Sequence, residues 1–245
     1  MSEHLTRGIN CATLTPIEQG APCIDLLVAH CQWLIDAGCE GIVLLGTTGE
    51  ANSFTVAERK AILDGALAGG ISAENLIVGT GCTAVGDTVE LTKQALSNGV
   101  TRCLMLPPFY YKNVSDAGVV AAYSRAIEAV ADARLRVYLY QIPQLTGVSL
   151  GPIAVTALQR AYPGTIAGIK DSSGDVAAIT ELCVRFGEEI DVLAGSERYL
   201  LAALRAGASG CVTAAANANA AQICALYRKR DDSDAAALQS AVAAA

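Results

Sequence analysis

Of the five lysines in the chain only one, Lys170, closes an apolar β-type run, Ile166-Ala167-Gly168-Ile169-Lys170. Desolvating an amine disfavours its ammonium form and leaves a neutral nucleophile that can attack a ketone and form a Schiff base. A preceding run, Arg136–Tyr140, ends in a phenol. A phenol held near an amine carries protons to and from an imine without adding charge. Each residue also has a plainer reading: Lys170 as an ion-pair partner of Asp171 or a point charge for a phosphate, and Tyr140 as a core tyrosine satisfied at a rim.

Other chemistry-bearing residues follow β-type runs in the same way. Gly46-Thr47-Thr48-Gly49 succeeds the run Gly41–Leu45. Its flanking glycines allow the backbone to turn its N–H groups inward, and its two hydroxyls add donors, so it suits a carboxylate or a phosphate. As a plain turn it would only cap the next helix, and Glu50 beside it reads as an orienting residue. Tyr110-Tyr111 comes stiffly after Pro107-Pro108, as a substrate wall, a subunit contact or surface packing. Gly195-Ser196-Glu197-Arg198 is polar and suits selection of substrate hydroxyl or carboxylate groups, with Ser196 as a helix cap in the plainer reading; Thr213 ends the last run.

Positioning these groups together requires the runs to share one sheet. Strands are predicted at Gly8–Thr13, Gly41–Leu45, Leu76–Gly79, Arg102–Leu106, Arg136–Tyr140, Ile166–Lys170, Asp191–Ala194 and Gly210–Thr213. Between them the apolar residues recur at three and four positions, which predicts helices over Cys23–Ala37, Thr55–Ala68, Thr88–Ser97, Asp116–Val130, Pro152–Ala161, Val176–Phe186, Glu197–Ala206 and Ala220–Arg230. Strand-then-helix units with no break in composition describe one closed (β/α)8 barrel over residues 1–230, with its active site at the C-terminal strand ends. A doubly wound sheet would carry G-x-G-x-x-G after an early strand, and the motif is missing. Asp231–Ala245 reads as the start of a further, C-terminal helical extension that is cut short.

Composition narrows the function classes. Hydrophobic residues make up 52% of the 245 positions and charged residues 17%, enough apolar surface for a large core. Net charge is −7 and the basic residues form no run, which speaks against a nucleic-acid partner. No apolar run approaches the roughly 18 residues of a membrane span, and the opening Met1-Ser2-Glu3-His4 lacks a signal-peptide layout, so no membrane is expected and the cytoplasm is. Nine cysteines without C-x-x-C read as buried reduced thiols. With only His4 and His30, no metal site is expected.

Taken together, Gly-Thr-Thr-Gly-Glu (46–50), Tyr-Gln-Ile-Pro (140–143), Gly-Ile-Lys-Asp-Ser-Ser-Gly-Asp (168–175) and Gly-Ala-Ser-Gly-Cys-Val-Thr (207–213) with Asn217 resemble the dihydrodipicolinate synthase / N-acetylneuraminate lyase family of class I, Schiff-base aldolases. The likeness runs from about residue 6 to 230. It implies a pyruvate-type 2-oxo acid bound as an imine to Lys170 with no other cofactor, Tyr140 as the proton-transfer phenol, and Thr47 and Thr48 on the carboxylate. Around the substrate it further places Gly46, Gly195, Glu197 and Val212. Tyr111 matches a tyrosine that reaches through Thr47 to Tyr140 from a neighbouring subunit, which implies a homo-oligomer, a tetramer built from dimers or a dimer. The partners implied are a small-molecule 2-oxo acid and an aldehyde.

The branch is read from a departure. In the synthase the catalytic tyrosine is followed by a segment whose arginine grips the carboxylate of aspartate semialdehyde; here Leu145 stands in its place. A small 2-oxo acid or sugar-acid-like substrate is therefore expected, with 4-hydroxy-tetrahydrodipicolinate synthase and a non-catalytic 2-oxo acid-binding protein as alternatives. Arg198 after Glu197 keeps the acidic sugar-binding pattern of the lyase only in part.

Overall fold

The computed structural model describes residues 6–244; His4 and the rest of the opening pentapeptide lie outside them. The strands are β1 (Gly8–Ala12), β2 (Ile17–Glu18), β3 (Ala21–Pro22), β4 (Gly41–Leu44), β5 (Leu76–Gly79), β6 (Arg102–Met105), β7 (Arg136–Gln141), β8 (Ile166–Asp171), β9 (Asp191–Ala194) and β10 (Gly210–Thr213). All but β2 and β3 form a closed parallel barrel in the order β1-β10-β9-β8-β7-β6-β5-β4. Because each strand is covered on both faces, its residues are nearly all buried and β-branched or apolar, which is why the barrel strands were readable as short apolar runs.

The helices are α1 (Ile24–Asp36), α2 (Val56–Ala68), α3 (Val85–Ser97), α4 (Asp116–Val130), α5 (Pro143–Thr146), α6 (Pro152–Ala161), α7 (Val176–Phe186), α8 (Leu200–Arg205), α9 (Ala216–Arg228) and α10 (Ala235–Ala244). Local signals set several starts. Thr55 and Glu58 form a reciprocal capping box on α2, Ser115 caps α4 and the Asp175 carboxylate caps α7. Two apolar layers result: one lies between strands and helices, and a smaller one fills the lumen with Val43, Ile77, Leu104, Tyr138, Leu193 and Val212 among others. The nine cysteines are unpaired; seven are buried, and Cys23 and Cys82 are half-buried.

Some elements differ from expectation. The helix expected at Glu197–Ala206 opens with a 3-10 turn, Glu197–Tyr199, before α8, and the last barrel helix starts earlier, at Ala216, with a kink at Asn219. The β2–β3 hairpin and α5 were not anticipated: two-residue exposed strands and a single-turn helix are too short to show a period. Among the described residues no helix is long and apolar enough to cross a membrane, and no group of three or more His, Cys, Asp or Glu is placed to hold a metal ion.

One close backbone approach connects the barrel to its rim. A Cβ on Gly79, at the end of β5, would stand 1.9 Å from the Leu45 carbonyl oxygen, so only glycine lets the turn after β4 lie against β5. Leu45 there has φ +57°, a left-handed conformation held by its surroundings. Because the opposing atom is backbone, Gly79→Ala is expected to destabilise the protein by about 1–3 kcal/mol, measured by thermal or denaturant unfolding. Wild-type stability in that variant would contradict this account of the turn.

Candidate active site

Tyr140 and Lys170 are direct register partners on the adjacent strands β7 and β8, near their C-terminal ends. Parallel pairing points both side chains into the lumen, where they are 3% and 4% exposed. Lys170 Nζ lies 3.2 Å from the Tyr140 hydroxyl and 4.3 Å from the centre of its ring. From the turn after β4, Thr47 Oγ1 comes within 3.2 Å of the same hydroxyl. A continuous path of amine, phenol and alcohol therefore crosses the rim.

The electrostatics of the phenol follow from these contacts. Burial alone pushes the Tyr140 phenol up, but the positive charge of Lys170 and hydrogen bonds with Thr47, Lys170 and Ser172 outweigh it, and the phenol titrates below its ordinary value. Among the described residues no carboxylate bonds Lys170. Asp171, the adjacent residue, faces the other side of the strand, where its Oδ1 accepts from the Ser173 N–H at 3.0 Å and hydroxyl at 2.6 Å. Burial pushes the Asp171 carboxyl up against those hydrogen bonds, and its Oδ2 has no partner.

Asp171 instead shapes the segment that follows. Ser172 N–H donates to the Gln141 carbonyl at 2.8 Å and the Gln144 amide donates to the Ser172 carbonyl at 2.6 Å, which fixes Ser172 beside Tyr140. Gly195, on the neighbouring strand end, has a structural reason to be glycine: a Cβ there would stand 2.1 Å from Ser172 Oγ. At the other side of the barrel Asn217 donates to the Ala12 carbonyl at 2.8 Å, and its Oδ1 receives the Leu14 N–H at 3.1 Å and contacts His30 Nε2 at 2.9 Å, tying α9 to the end of β1.

These elements surround an open cavity of about 440 Å³ at the C-terminal rim. Thr47, Thr48, Tyr140, Lys170, Gly195 and Val212 all line it. Three other expected site residues are placed elsewhere. Gly46 borders a smaller adjoining cavity with Thr47 and Tyr140. Glu197 is off the lining, because its carboxylate accepts the Thr213 hydroxyl. Tyr111 is 79% exposed, edge-on to Tyr110 at 5.1 Å, and does not line the cavity of its own chain. Glu50 is exposed, with φ +53°.

Sequence reasoning passed over Ser172, Gln144 and Tyr199, which also line the cavity. Ser172 follows Lys170 closely enough to be sought, whereas Tyr199 and Gln144 arrive by folding of segments without a local signal. Leu145 is 60% exposed and outside the lining, and Lys112 is held by the Phe109 and Thr146 carbonyls. The one cation on the cavity wall besides Lys170 is Arg198.

A closed parallel barrel with a buried lysine and tyrosine joined at its C-terminal rim defines an aldolase-type (β/α)8 enzyme. The chain belongs to the Dihydrodipicolinate synthetase family, whose model matches residues 5–244. An uncharacterised DapA-like lyase of Chloroflexus aurantiacus is 38% identical over 216 residues, 86% of this chain and 71% of that protein. A 4-hydroxy-tetrahydrodipicolinate synthase of Salinibacter ruber is 34% identical over 236 residues, covering 95% and 76% of the two chains. Among solved structures, YagE of E. coli K12, a prophage protein of the dihydrodipicolinic acid synthase family in complex with pyruvate, matches with a TM-score of 0.87 at 28% identity over 96% of this chain and 80% of that one. The chain is accordingly a pyruvate-dependent aldolase or lyase of this family.

The coupling between amine and phenol has a direct test. Lys170→Met removes the charge that lowers the Tyr140 phenol and leaves the burial that raises it, so the phenol is expected to titrate at higher pH than in the wild type. Ultraviolet absorbance of the phenolate, with Tyr140→Phe as the blank, reads the change; an unmoved titration would uncouple the two residues.

Proposed function

We propose that Lys170 carries the imine, Tyr140 and Thr47 move the protons, and the Thr47-Thr48 turn holds the carboxylate of pyruvate while its C3 is joined to, or released from, an aldehyde. What supports this reading is the unbroken chain from Lys170 Nζ through the Tyr140 hydroxyl to Thr47 Oγ1, each contact 3.2 Å, on the wall of the cavity.

The steps balance on these groups alone. Tyr140, drawn towards phenolate by the adjacent cation, takes a proton from Lys170, and the freed amine attacks C2 of pyruvate. The C2 oxygen leaves as water, its protons supplied along the Tyr140–Thr47 path, and an iminium remains. Tyr140, returned to phenolate by that transfer, takes a proton from C3, and the enamine forms. C3 then bonds to the aldehyde carbon, the aldehyde oxygen takes a proton from Tyr140, and water hydrolyses the iminium to release product and Lys170. Cleavage runs the same steps backwards.

Gly195 and Val212 shape the wall on the β9 and β10 side of the amine. Tyr111, exposed on its own chain, fits the family-implied part of a hydroxyl supplied across a subunit contact, and a homo-oligomer acting in the cytoplasm goes with this reading. Gly46 contributes through the turn it begins, and Glu197 through the loop it anchors on Thr213. No metal or organic cofactor has a step in this scheme. Leu145 offers no charge where the synthase branch has arginine, so recognition of aspartate semialdehyde in the synthase manner is absent.

Incubation with pyruvate followed by borohydride is expected to leave a reduced adduct on the peptide containing Lys170. An active enzyme without that adduct would sink the mechanism. Tyr140→Phe keeps the ring and removes the proton carrier, so kcat is expected to fall by roughly 10²- to 10⁴-fold with an unchanged circular dichroism spectrum; near-full kcat would return the phenol to a packing role.

A further inference from the structure

The charge on the cavity wall is one-sided. Among the described residues Lys170 and Arg198 line it and no aspartate or glutamate does. The 2-oxo acid brings one carboxylate, which the Thr47-Thr48 turn and the Lys170 cation receive. Arg198 is left over. Among the described residues its guanidinium has neither a hydrogen bond nor an ion pair, while its backbone is fixed on both sides: its N–H donates to Ser196 Oγ at 3.2 Å, and its carbonyl accepts from the Gln239 amide at 3.1 Å. The same amide bonds the Glu197 carbonyl at 2.9 Å, so α10 clamps the turn that carries the arginine.

The carboxylate that could have neutralised Arg198 is the adjacent one, and the fold turns it away: Glu197 accepts the Thr213 hydroxyl. Lys112 cannot take the same part, being bound to the Phe109 and Thr146 carbonyls. An exposed arginine that lines a concave site and has no ion pair among the described residues draws an anion, which its guanidinium can pair in bidentate fashion.

We infer that Arg198 is a specificity-determining residue that binds an anionic group, carboxylate or phosphate, carried by the aldehyde away from its reacting carbon. The inference rests on the aldolase reading above and names the substrate class of that site. The enzyme is then selective for acidic aldehydes, or for aldol products bearing a second acidic group, and it reads that charge from the loop after β9 rather than from the position of Leu145.

The test compares matched aldehydes with pyruvate as donor: succinate semialdehyde against butyraldehyde for carboxylate, and glyceraldehyde 3-phosphate against glyceraldehyde for phosphate. Wild-type kcat/KM is expected to favour the acidic member of at least one pair by about 10- to 150-fold, the discrimination of one charge-assisted contact. In Arg198→Ala that ratio is expected to collapse towards one, mainly through KM, and in Arg198→Lys to recover in part. The pair that shows the preference identifies the anion. As a readout independent of turnover, protein reduced with borohydride on pyruvate should bind succinate or glycerol 3-phosphate more tightly than glycerol in the wild type, and without preference in Arg198→Ala. Normal trapping of pyruvate with no preference for acid in either assay, or with a preference that survives Arg198→Ala, would overturn the inference alone. Failure of the wild type to trap pyruvate would overturn the aldolase reading and this inference with it.

Discussion

A cation 4% exposed inside a barrel rim, bonded to a phenol instead of a carboxylate, is the constraint around which this molecule is arranged. A carboxylate would hold the ammonium in place and oppose its deprotonation. Asp171 is next in the chain, yet strand alternation sends it to the opposite face, where Ser173 satisfies one oxygen. The amine thus shares its proton with the Tyr140 hydroxyl, a group whose own acidity the same cation increases. The phenol is tuned by the amine beside it, so it cannot be understood as an isolated buried residue.

Keeping that pair aligned falls to the barrel. Tyr140 and Lys170 stand opposite one another because β7 and β8 are in parallel register, and closure of the sheet prevents the strands from sliding. Glycines at two strand ends then allow backbone to approach where side chains would intrude: Gly79 admits the turn that brings Thr47, and Gly195 admits Ser172. A rigid frame with a few close approaches orders the hydroxyls before any substrate enters, and such preorganisation is what makes proton transfer efficient.

The rest of the cavity wall is built differently. It consists of a 3-10 turn after β9 and the segment after β8, held by hydrogen bonds from Gln239 and Gln144 to backbone carbonyls and from the Arg198 N–H to Ser196 Oγ rather than by strand pairing. Loops on a constant frame can change specificity without disturbing the donor half-site. Leu145 and Arg198 show this freedom, since a charge is missing from one loop and present on another while the lysine, tyrosine and threonines stay together.

Much of this was legible from the chain alone. Doubly covered parallel strands must be apolar on both faces, so the barrel strands were readable to within a residue or so, and the residues that end them, Tyr140 and Lys170, could be assigned to one rim by strand adjacency. Pattern also carried the Gly46–Gly49 turn, because its glycines and threonines are local. What periodicity could not supply was direction within irregular backbone. Glu197 and Arg198 are neighbours in sequence, and only tertiary contacts, from Thr213 to one side chain and from Gln239 to both carbonyls, leave the Glu197 carboxylate off the cavity lining while Arg198 remains part of it. Tyr111 is a site residue by family resemblance alone, and in its own chain it stands exposed and off the cavity lining. Strand register follows from local, periodic burial, whereas the aim of a loop side chain depends on partners far away in sequence, and that is why the barrel and its rim lysine and tyrosine were legible in the residues while the arrangement of the loop after β9 had to wait for the structure.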